Sequence, residues 1–386
     1  MGSYAIKASR FVLPGAVMGE GYLPVEDGAF GCWQAEAPGC EVLDRTGCWV
    51  APGFVDTHIH GFFGHDTTEA SVEGVDISSL ELARRGTTSW LPTTFTSSAD
   101  DIEADCRAIA VADAARGPGF AGARIQGIYL EGPFFTMKHV GAQNPAYLRD
   151  PDVAVFSRWQ EAAGGRIVKS ALAPERSGSL AYVAALDARG VVTCIGHTDA
   201  TYEQALAAVN AGATCFVHTY NGQRGLHHRD PGVVGCAMAT PGTYAEVICD
   251  GRHVVPAAIK ALVDAKGWRN TVLITDCLGC GGLPDGEYMS GGLEVELRDG
   301  LCYLRGSDTI AGSVLTLAQG VKNIADWGIA TPEHAIRMAT EIPARSARID
   351  SRCGSIKPGR LADFVVLEPD LTLSETYLAG VKVPTE

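Results

Sequence analysis

Hydrophobic and polar positions alternate in a regular order along this chain after residue 52. Short runs rich in β-branched residues are each followed by a longer run rich in Ala, Leu and Glu. This alternation is typical of βα units stacked around a parallel sheet. It predicts strands over residues 53–60, 87–93, 124–131, 166–173, 191–197, 214–218, 246–250 and 271–276, and helices over residues 78–85, 100–115, 180–189, 202–211 and 256–266.

Eight such units predict an α/β fold of the closed type, a (β/α)8 TIM-type barrel. The alternative is an open doubly wound sheet, but no Gly-x-Gly-x-x-Gly follows the first predicted strand. Residues 1–52 and 347–386 lack the βα rhythm and consist of short strand-like runs and turns. We therefore expect two domains: a barrel over residues 53–346 and a small β-sandwich built from both chain termini.

Polar residues follow the predicted strands at the end where a barrel of this type carries its chemistry. Histidine is scarce, with ten in 386 residues, yet it recurs at these strand ends. The residues at or near the ends are His58, His60, Glu131, His197, His218, Asp250, His253 and Asp276. Imidazole and carboxylate groups brought together in this way predict a metal site.

Glu131, His197 and His218 would supply one carboxylate and two imidazoles, a set that suits a catalytic metal with one position open for water. His58 and His60 lie two residues apart, so in a strand both imidazoles leave the same face and could complete a second site. The alternative is that this pair is only a polar strand end. We expect one or two divalent ions, zinc first, although iron, manganese or cobalt would also accept these ligands.

Asp276 follows the last predicted strand and is placed for acid–base chemistry. A carboxylate there could take a proton from water activated by the metal and later deliver it to a leaving amine. The alternatives are that Asp276 caps a helix or orients a metal-binding histidine.

A cationic segment, residues 221–232, follows the sixth predicted strand in a protein that is otherwise acidic. Arg229 in this segment could make a forked contact to a phosphate or carboxylate next to the predicted metal. The alternative is a surface loop with solvated charges.

The net charge of −14 argues against nucleic acid or an anionic membrane surface as a partner. No run of about eighteen apolar residues is present to span a membrane. The twelve cysteines are scattered singly and no secretory signal is recognisable, so we expect reduced thiols in a cytoplasmic protein. Cys277-x-x-Cys280 has no second pair nearby, which favours a structural role.

These residues lie within motifs that resemble the N-acetylglucosamine-6-phosphate deacetylases of the amidohydrolase superfamily. The resemblance runs through nearly the whole chain. Its motifs are Pro52-Gly-Phe-Val-Asp-Thr-His-Ile-His-Gly61, Trp90-Leu-Pro-Thr-Thr94, Leu130-Glu-Gly-Pro-Phe134, Gly196-His-Thr198, His218-Thr-Tyr-Asn221, His227-His-Arg-Asp-Pro-Gly232, Asp250-Gly-Arg-His253, Ile274-Thr-Asp276, Ala311-Gly-Ser313 and Gly354-Ser-Ile-Lys-Pro-Gly359. Glu131 in the Leu130 motif is the most specific of these residues. The family uses this glutamate as a metal ligand where many amidohydrolases use a carboxylated lysine.

The resemblance implies hydrolysis of the acetamide of an N-acetylhexosamine 6-phosphate, first of all N-acetylglucosamine 6-phosphate, to acetate and the amino sugar phosphate. It implies a principal metal on Glu131, His197 and His218, with Asp276 as the acid–base residue, and His58 and His60 match members that hold a second metal. The implied substrate-binding residues are Asn221, Gly222, His228, Arg229, His253 and, in the acetyl pocket, Ile310. It also implies a homodimer in which the neighbouring subunit helps close the site.

Two glutamines depart from the family pattern. Gln143 stands where the family has a substrate-contacting histidine, and Gln223 stands where Asn-Ala-Met or Asn-Gly-Met is usual. Gln143 is still predicted to bind substrate, because a glutamine side chain donates and accepts hydrogen bonds although it carries no charge. Segments 227–229 and 283–288 resemble the N-acetylgalactosamine-6-phosphate branch, so an epimer at C4 or another N-acyl group is an alternative substrate.

Two further hypotheses come from other classes. Cyclic-amide hydrolysis, as in dihydroorotases and hydantoinases, needs a bridging lysine at a strand end, but Lys169 lies in the middle of the fourth predicted strand. A non-catalytic scaffold relative would be expected to have lost metal ligands first. This chain keeps all of them together with Asp276.

Overall fold

The chain begins with a run of strands in the computed structural model, which describes residues 3–385. These strands are β1 (Tyr4–Leu13), β2 (Ala16–Met18), β3 (Gly21–Glu26), β4 (Ala29–Phe30) and β5 (Glu41–Pro52). Asp27 and Gly28 join β3 to β4 with φ angles of 49° and 81°, as a two-residue hairpin turn requires. The strands expected before residue 53 are therefore present.

Parallel strands alternating with helices form the centre of the molecule. The first elements are β6 (Phe54–Ile59), β7 (Gly61–Phe62), β8 (His65–Asp66), α1 (Val72–Arg84), β9 (Thr87–Thr94), α2 (Ala99–Ala115), β10 (Arg124–Ile125), β11 (Ile128–Phe134) and two 3-10 turns, Met137–His139 and Pro145–Tyr147. They are followed by α3 (Val153–Ala162), β12 (Ile167–Leu172), α4 (Ser179–Asp187), β13 (Val192–Ile195), α5 (Tyr202–Ala211), β14 (Cys215–Phe216), α6 (Gly232–Ala239), β15 (Tyr244–Ile248), α7 (Pro256–Lys266), a 3-10 turn (Trp268–Asn270) and β16 (Thr271–Ile274).

The parallel strands of residues 3–385 follow the order β6-β9-β11-β12-β13-β14-β15-β16. The ring closes at the carboxyl-terminal ends of β16 and β6. There the Asp276 N–H donates to the His58 carbonyl at 2.9 Å, and the His60 N–H donates to the Cys277 carbonyl at 2.8 Å. The prediction of a TIM-type barrel is confirmed.

The observed elements overlap every strand and helix predicted from the pattern, and α5 and α7 coincide with their predictions. α1 begins six residues before its predicted start. The reason is Ser71, whose side chain accepts a hydrogen bond from the Gly74 N–H and caps the helix. The hydrophobic periodicity marked the buried face of α1 but did not reveal where the first turn begins.

Residues 277–346 contain elements that the pattern did not predict. A three-stranded antiparallel sheet forms first, from β17 (Gly286–Ser290), β18 (Leu293–Arg298) and β19 (Leu301–Leu304). The helices α8 (Leu317–Asp326), α9 (Pro332–Met338) and α10 (Glu341–Ser346) follow. Val295 and Cys302 of the small sheet pack with Phe95, Leu278 and Ala311, so this sheet covers one side of the barrel mouth.

The chain ends with β20 (Phe364–Leu367), β21 (Leu373–Leu378) and β22 (Val381–Lys382). Within the described residues, these strands and β1–β5 form one eight-stranded sheet in the order β22-β21-β20-β5-β1-β3-β4, with β2 beside β1. The ring centroids of Phe30 on β4 and Phe364 on β20 lie 6.1 Å apart, although three strands separate β4 from β20 in the sheet order, so the sheet folds over onto itself. The two layers of the predicted sandwich are thus continuous. The division at residues 52 and 347 stays a prediction.

Nine of the twelve cysteines are buried, and all twelve are free thiols, as expected from their scattered positions. No helix of the described chain is long and apolar enough to cross a membrane.

Arg337 on α9 ties the barrel to the terminal sheet. Its buried guanidinium donates to the carbonyls of Leu13 at 2.7 Å and Ala16 at 3.1 Å. It also pairs with Glu333 at 3.0 Å and with Glu341 at 2.7 Å. One side chain therefore satisfies acceptors on both parts of the structure.

We expect Arg337→Met to lower the free energy of unfolding by about 1.5–3 kcal/mol, because it removes a buried guanidinium that donates to partly buried carboxylate and carbonyl oxygens. Equilibrium unfolding in urea measures this loss. The matched control is Arg107→Met, which removes an exposed pair with Glu103 and should cost about 1 kcal/mol or less. Equal losses in the two variants would contradict the role of Arg337.

Candidate metal centre

A cavity of about 370 Å³ opens at the carboxyl ends of the barrel strands. Most of the predicted site residues line it. They are His60, Glu131, Gln143, His197, His218, Asn221, Gly222, His253, Asp276 and Ile310. The barrel thus brings together residues that are up to 250 positions apart along the chain.

Three of these residues share one backbone device. His197, His218 and Asp276 each lie two residues beyond the end of their strand, β13, β14 and β16. Each has a positive φ angle, 45°, 24° and 51° respectively. Side chains other than glycine rarely adopt this region, and such residues cluster at functional sites because the fold must hold them there.

Glu131 of β11 is the centre of the cluster. Its Oε1 atom lies 3.1 Å from Nε2 of His218 and 3.3 Å from Nε2 of both His58 and His197. Its Oε2 atom lies 3.2 Å from Nε2 of His60. Glu131 therefore belongs to two buried groups with metal-ligand spacing, one with His58 and His60 and one with His197 and His218.

All four imidazoles use their other nitrogen, Nδ1, on an acceptor. Nδ1 of His58 lies 3.0 Å from Oε2 of Glu246, and Nδ1 of His60 lies 3.1 Å from the Thr93 carbonyl. Nδ1 of His197 lies 2.8 Å from the His139 carbonyl, and Nδ1 of His218 lies 3.0 Å from the Asn221 carbonyl. These acceptors place the ring proton on Nδ1 and leave the Nε2 lone pairs facing Glu131.

The inward-facing nitrogens fit a cation. Nε2 of His58 and Nε2 of His60 are buried and have no hydrogen-bond partner. The Nε2 atoms of His197 and His218 lie 3.1 Å apart, and two lone pairs at that distance repel unless a cation or a proton lies between them. One carboxylate and neutral imidazoles match the ligand set of a catalytic zinc, iron, manganese or cobalt site.

The protonation behaviour of the site reflects its buried negative charge. Burial disfavours the imidazolium of His58, but the carboxylates of Glu131 and Asp276 outweigh it and raise the pKa of His58 well above its usual value. Burial likewise opposes ionisation of Glu131, yet His58, His197 and His218 lower its pKa well below the usual range. Two buried carboxylates require positive charge within a few ångströms, which an ion held by the imidazoles would also supply.

Asp276 faces the same cavity as the candidate ligands. Its Oδ1 atom lies 3.2 Å from Nε2 of His60 and 3.4 Å from Nε2 of His58. Burial opposes ionisation of Asp276, but positive charge on the neighbouring His58 and His60 lowers its pKa, which favours the ionised carboxylate. It contacts the metal-facing nitrogens rather than Nδ1 and stands at no helix start, which argues against both alternatives for Asp276.

Gln143 lies in the cavity wall, and both ends of its amide are engaged. Its Nε2 donates to Oε2 of Glu131 at 2.6 Å, and its Oε1 accepts from the Thr96 N–H at 2.7 Å. Gln143 thus orients a candidate metal ligand, in addition to lining the space where a substrate would lie. Gln223 points away from the cavity and donates to the Val217 carbonyl.

His228 and Arg229 do not line the cavity of the single chain. Both are exposed, and Arg229 Nη1 lies 2.9 Å from Nε2 of His228. His253 does line the cavity, where Nδ1 lies 2.6 Å from Oδ2 of Asp250. In the single chain the cationic segment therefore reaches the cavity only at Asn221 and Gly222, and the substrate-binding roles of His228 and Arg229 stay predictions.

Several residues of the site were missed by a search for polar strand ends. Phe95 follows β9 and stacks on His60, with ring centroids 3.7 Å apart. Asp308 and Thr309 line the cavity from the loop after β19, a segment for which the pattern predicted no element. The sequence offered one signal for Phe95, which is that it directly follows the barrel strand β9.

Lys169 is not a candidate ligand. Its ammonium group is buried inside the barrel, where it pairs with Glu246 and lies 4.4 Å from the centre of the Tyr129 ring. The bridging place between the two ligand groups is occupied by Glu131. This arrangement removes the structural basis for the cyclic-amide hypothesis.

The barrel, the terminal sheet and a cluster of histidines around one carboxylate are the features of a metal-dependent hydrolase class. The chain belongs to the amidohydrolase family, whose model matches residues 49–384.

The chain is 41% identical over 331 residues to the N-acetylglucosamine-6-phosphate deacetylase of Vibrio furnissii, with 86% of this chain and 82% of that protein covered. It is 35% identical over 378 residues to the N-acetylgalactosamine-6-phosphate deacetylase of Escherichia coli O157:H7, with 98% of each covered. A mutant N-acetyl-D-glucosamine-6-phosphate deacetylase of Mycobacterium smegmatis, solved with N-acetyl-D-glucosamine-6-phosphate, superposes with a TM-score of 0.93 at 31% identity and covers 99% of this chain and 100% of that one. The family resemblance inferred from the motifs is confirmed.

We expect metal-free protein to bind zinc, and His197→Ala to weaken binding by more than about 100-fold, beyond the loss typical when only a supporting residue is removed. Equilibrium dialysis followed by elemental analysis measures the bound ion. The matched control is His334→Ala, since His334 stacks on Trp268 outside the site. Unchanged zinc binding in His197→Ala would contradict its assignment as a ligand.

Proposed function

We propose that this chain hydrolyses the N-acetyl group of an N-acetylhexosamine 6-phosphate to acetate and the amino sugar 6-phosphate. The observation that carries the proposal is the position of the Asp276 carboxylate, whose Oδ1 atom lies 3.4 Å and 3.2 Å from the metal-facing nitrogens of His58 and His60. A base next to a metal-ligand cluster is the arrangement that amide hydrolysis by water needs. The names of the relatives above supply the substrate class.

The proposed metal ligands form two positions. Glu131, His197 and His218 would hold the principal divalent ion, and Glu131 with His58 and His60 would hold a second. Zinc is the first choice, with iron, manganese and cobalt as alternatives. When bound, such an ion supplies Lewis acidity toward the amide carbonyl and toward a water molecule.

Asp276 performs the proton transfers. Its carboxylate takes a proton from the attacking water as the oxygen–carbon bond forms at the acetyl carbonyl. It then delivers that proton to the amide nitrogen as the carbon–nitrogen bond breaks, so a free amine and acetic acid leave, and the acid releases its remaining proton to become acetate. The same residue thus serves as base and then as acid, and it returns to its ionised form.

The cavity wall provides the substrate contacts. Asn221, Gly222 and His253 present polar groups to the sugar phosphate, while the aliphatic side chain of Ile310 faces the acetyl group. Gln143 lies near both Glu131 and the substrate space. These roles are supported by the position of each residue in the cavity lining.

The exposed pair His228 and Arg229 would reach a phosphate in a homodimer, where a second copy of the chain brings this segment to its neighbour's cavity. The guanidinium of Arg229 suits bidentate phosphate contact. We place the protein in the cytoplasm, because its buried cysteines remain unpaired thiols. Neither nucleic acid nor membrane is proposed as a partner.

Two observations support a second candidate substrate. Gln143 replaces a histidine of the family pattern, and one relative of nearly full coverage is named for N-acetylgalactosamine 6-phosphate. The C4 epimer, or another N-acyl group, is therefore the alternative substrate. A scaffold without activity is disfavoured by the complete ligand set and the ionised Asp276.

We expect Asp276→Asn to reduce kcat by about 10²- to 10⁴-fold, the usual contribution of a positioned acid–base group, with zinc content unchanged. Acetate release and elemental analysis on the same sample measure both quantities. Asp264→Asn on the exposed face of α7 is the matched control. Full activity in Asp276→Asn would disprove its role.

We expect turnover to depend on the 6-phosphate. Acetate release should be compared for N-acetylglucosamine, N-acetylgalactosamine and N-acetylmannosamine, each with and without the phosphate. Arg229→Leu should lower kcat/KM for the phosphorylated sugars by about 10- to 100-fold, the value of one charged hydrogen bond, and should leave the unphosphorylated sugars unaffected. Equal rates with and without phosphate would refute the proposed phosphate recognition.

A further inference from the structure

A buried ion pair crosses the barrel interior beneath the candidate metal centre. Lys169 of β12 and Glu246 of β15 are both fully buried, and the ammonium group donates to Oε1 of Glu246. Lys169 Nζ also lies 3.4 Å from the Thr57 carbonyl. A buried pair of this kind adds little net stability compared with apolar side chains of the same size. Stability alone therefore does not explain why the barrel contains it.

The second carboxylate oxygen of Glu246 is directed at the metal centre. Its Oε2 atom accepts from Nδ1 of His58 at 3.0 Å and lies 3.4 Å from the backbone nitrogen of His218. Lys169, Glu246 and His58 therefore form a continuous line of hydrogen bonds. The line ends at Nε2 of His58, which is buried without a hydrogen-bond partner and lies 3.3 Å from Oε1 of Glu131.

His58 is the exception among the four imidazoles. Nδ1 of His60, His197 and His218 each meets a backbone carbonyl, which is uncharged and cannot be changed by a side-chain substitution. Nδ1 of His58 meets a carboxylate held by an ammonium group. A hydrogen bond to an ionised acceptor is stronger than one to a carbonyl, and it makes the opposite ring nitrogen a better metal ligand.

We propose that Glu246, paired with Lys169, is the positioning residue that holds His58 in its Nδ1–H form and so allows the position formed by His58, His60 and Glu131 to retain an ion. The inference rests on the proposed metal centre. The position formed by Glu131, His197 and His218 does not depend on the pair, because its histidines are oriented by backbone carbonyls. Glu246 and Lys169 thus determine whether the centre holds one ion or two.

Lys169 also determines the outcome of substituting Glu246. In Glu246→Gln, the Lys169 ammonium group can only donate hydrogen bonds, so it donates to the oxygen of the new amide. The amide NH2 then faces Nδ1 of His58 and donates to it. This forces the ring proton onto Nε2, the atom that would bind the ion. In the double variant Lys169→Met with Glu246→Gln, the amide is free to turn, and its oxygen again accepts from Nδ1–H.

The test is zinc binding to metal-free protein over a range of free zinc, measured by equilibrium dialysis and elemental analysis. Wild type should bind two ions per chain. Glu246→Gln should keep the first ion and bind the second about 100-fold more weakly, the upper end for loss of a supporting residue. The double variant should regain about 10-fold of that loss. A purely structural ion pair predicts no such recovery.

The matched control for removing a buried lysine is Lys266→Met, whose ammonium group bonds to the Thr240 carbonyl and to Thr243 on the outer side of the barrel. It should leave both ions in place. Long-range ¹H–¹⁵N spectra of the imidazoles provide a second readout on metal-free wild type, where Nδ1 of His58 should carry a proton that is hydrogen-bonded to Glu246. This readout applies even if a variant fails to fold.

The outcomes separate the two proposals. Two ions retained at wild-type affinity in Glu246→Gln would overturn the inference, and so would an unprotonated Nδ1 of His58 in wild type. One ion per wild-type chain would also overturn it while leaving the proposed function in place. No zinc bound by wild type would overturn the metal centre itself, and with it the proposed function.

Discussion

Closure of the barrel between its first and last strands is the constraint on which the site depends. At the carboxyl-terminal ends of β6 and β16, the backbone hydrogen bonds from Asp276 to His58 and from His60 to Cys277 join segments that are more than 200 residues apart. Buried Asp56 reinforces the joint by accepting from the Thr275 hydroxyl at 2.6 Å. Because these bonds set the two segments side by side, the Asp276 carboxylate meets the imidazoles of His58 and His60. A barrel left open here would have ligands without a base.

Buried charge is the second organising feature. Three carboxylates, those of Glu131, Glu246 and Asp276, lie within the barrel or at its mouth and are almost completely buried. Such groups need positive partners at hydrogen-bond distance. Lys169 satisfies Glu246 and holds the pKa of that carboxylate near 2 against the effect of burial. The histidines satisfy Glu131 and Asp276, and each of the four rings around Glu131 directs its Nε2 atom inward. The same histidines therefore balance the buried negative charge and supply the candidate metal ligands.

Much of the fold and most of the site followed from sequence pattern. Strand-length apolar runs are reliable in a parallel barrel because both faces of each strand are buried, and a polar residue ending such a run stands out. His197, His218 and Asp276 were found in this way. The sheet formed by β17–β19 was missed because its strands are short and half exposed, so they lack a strong hydrophobic signal. Phe95 was missed because it is apolar, and the surface position of His228 and Arg229 depends on how a loop leaves the barrel.

The sequence by itself determined the class of fold, the family and the identities of the candidate ligands, since each depends on local runs and motifs. Only the tertiary structure decided how those ligands are used. It showed that Glu131 is shared by two groups, that Gln143 holds Glu131 rather than standing free, and that Lys169 serves Glu246 instead of a metal. The reason is physical: hydrogen-bond partners and desolvation are set by residues brought together across the barrel, and no local pattern encodes those distances.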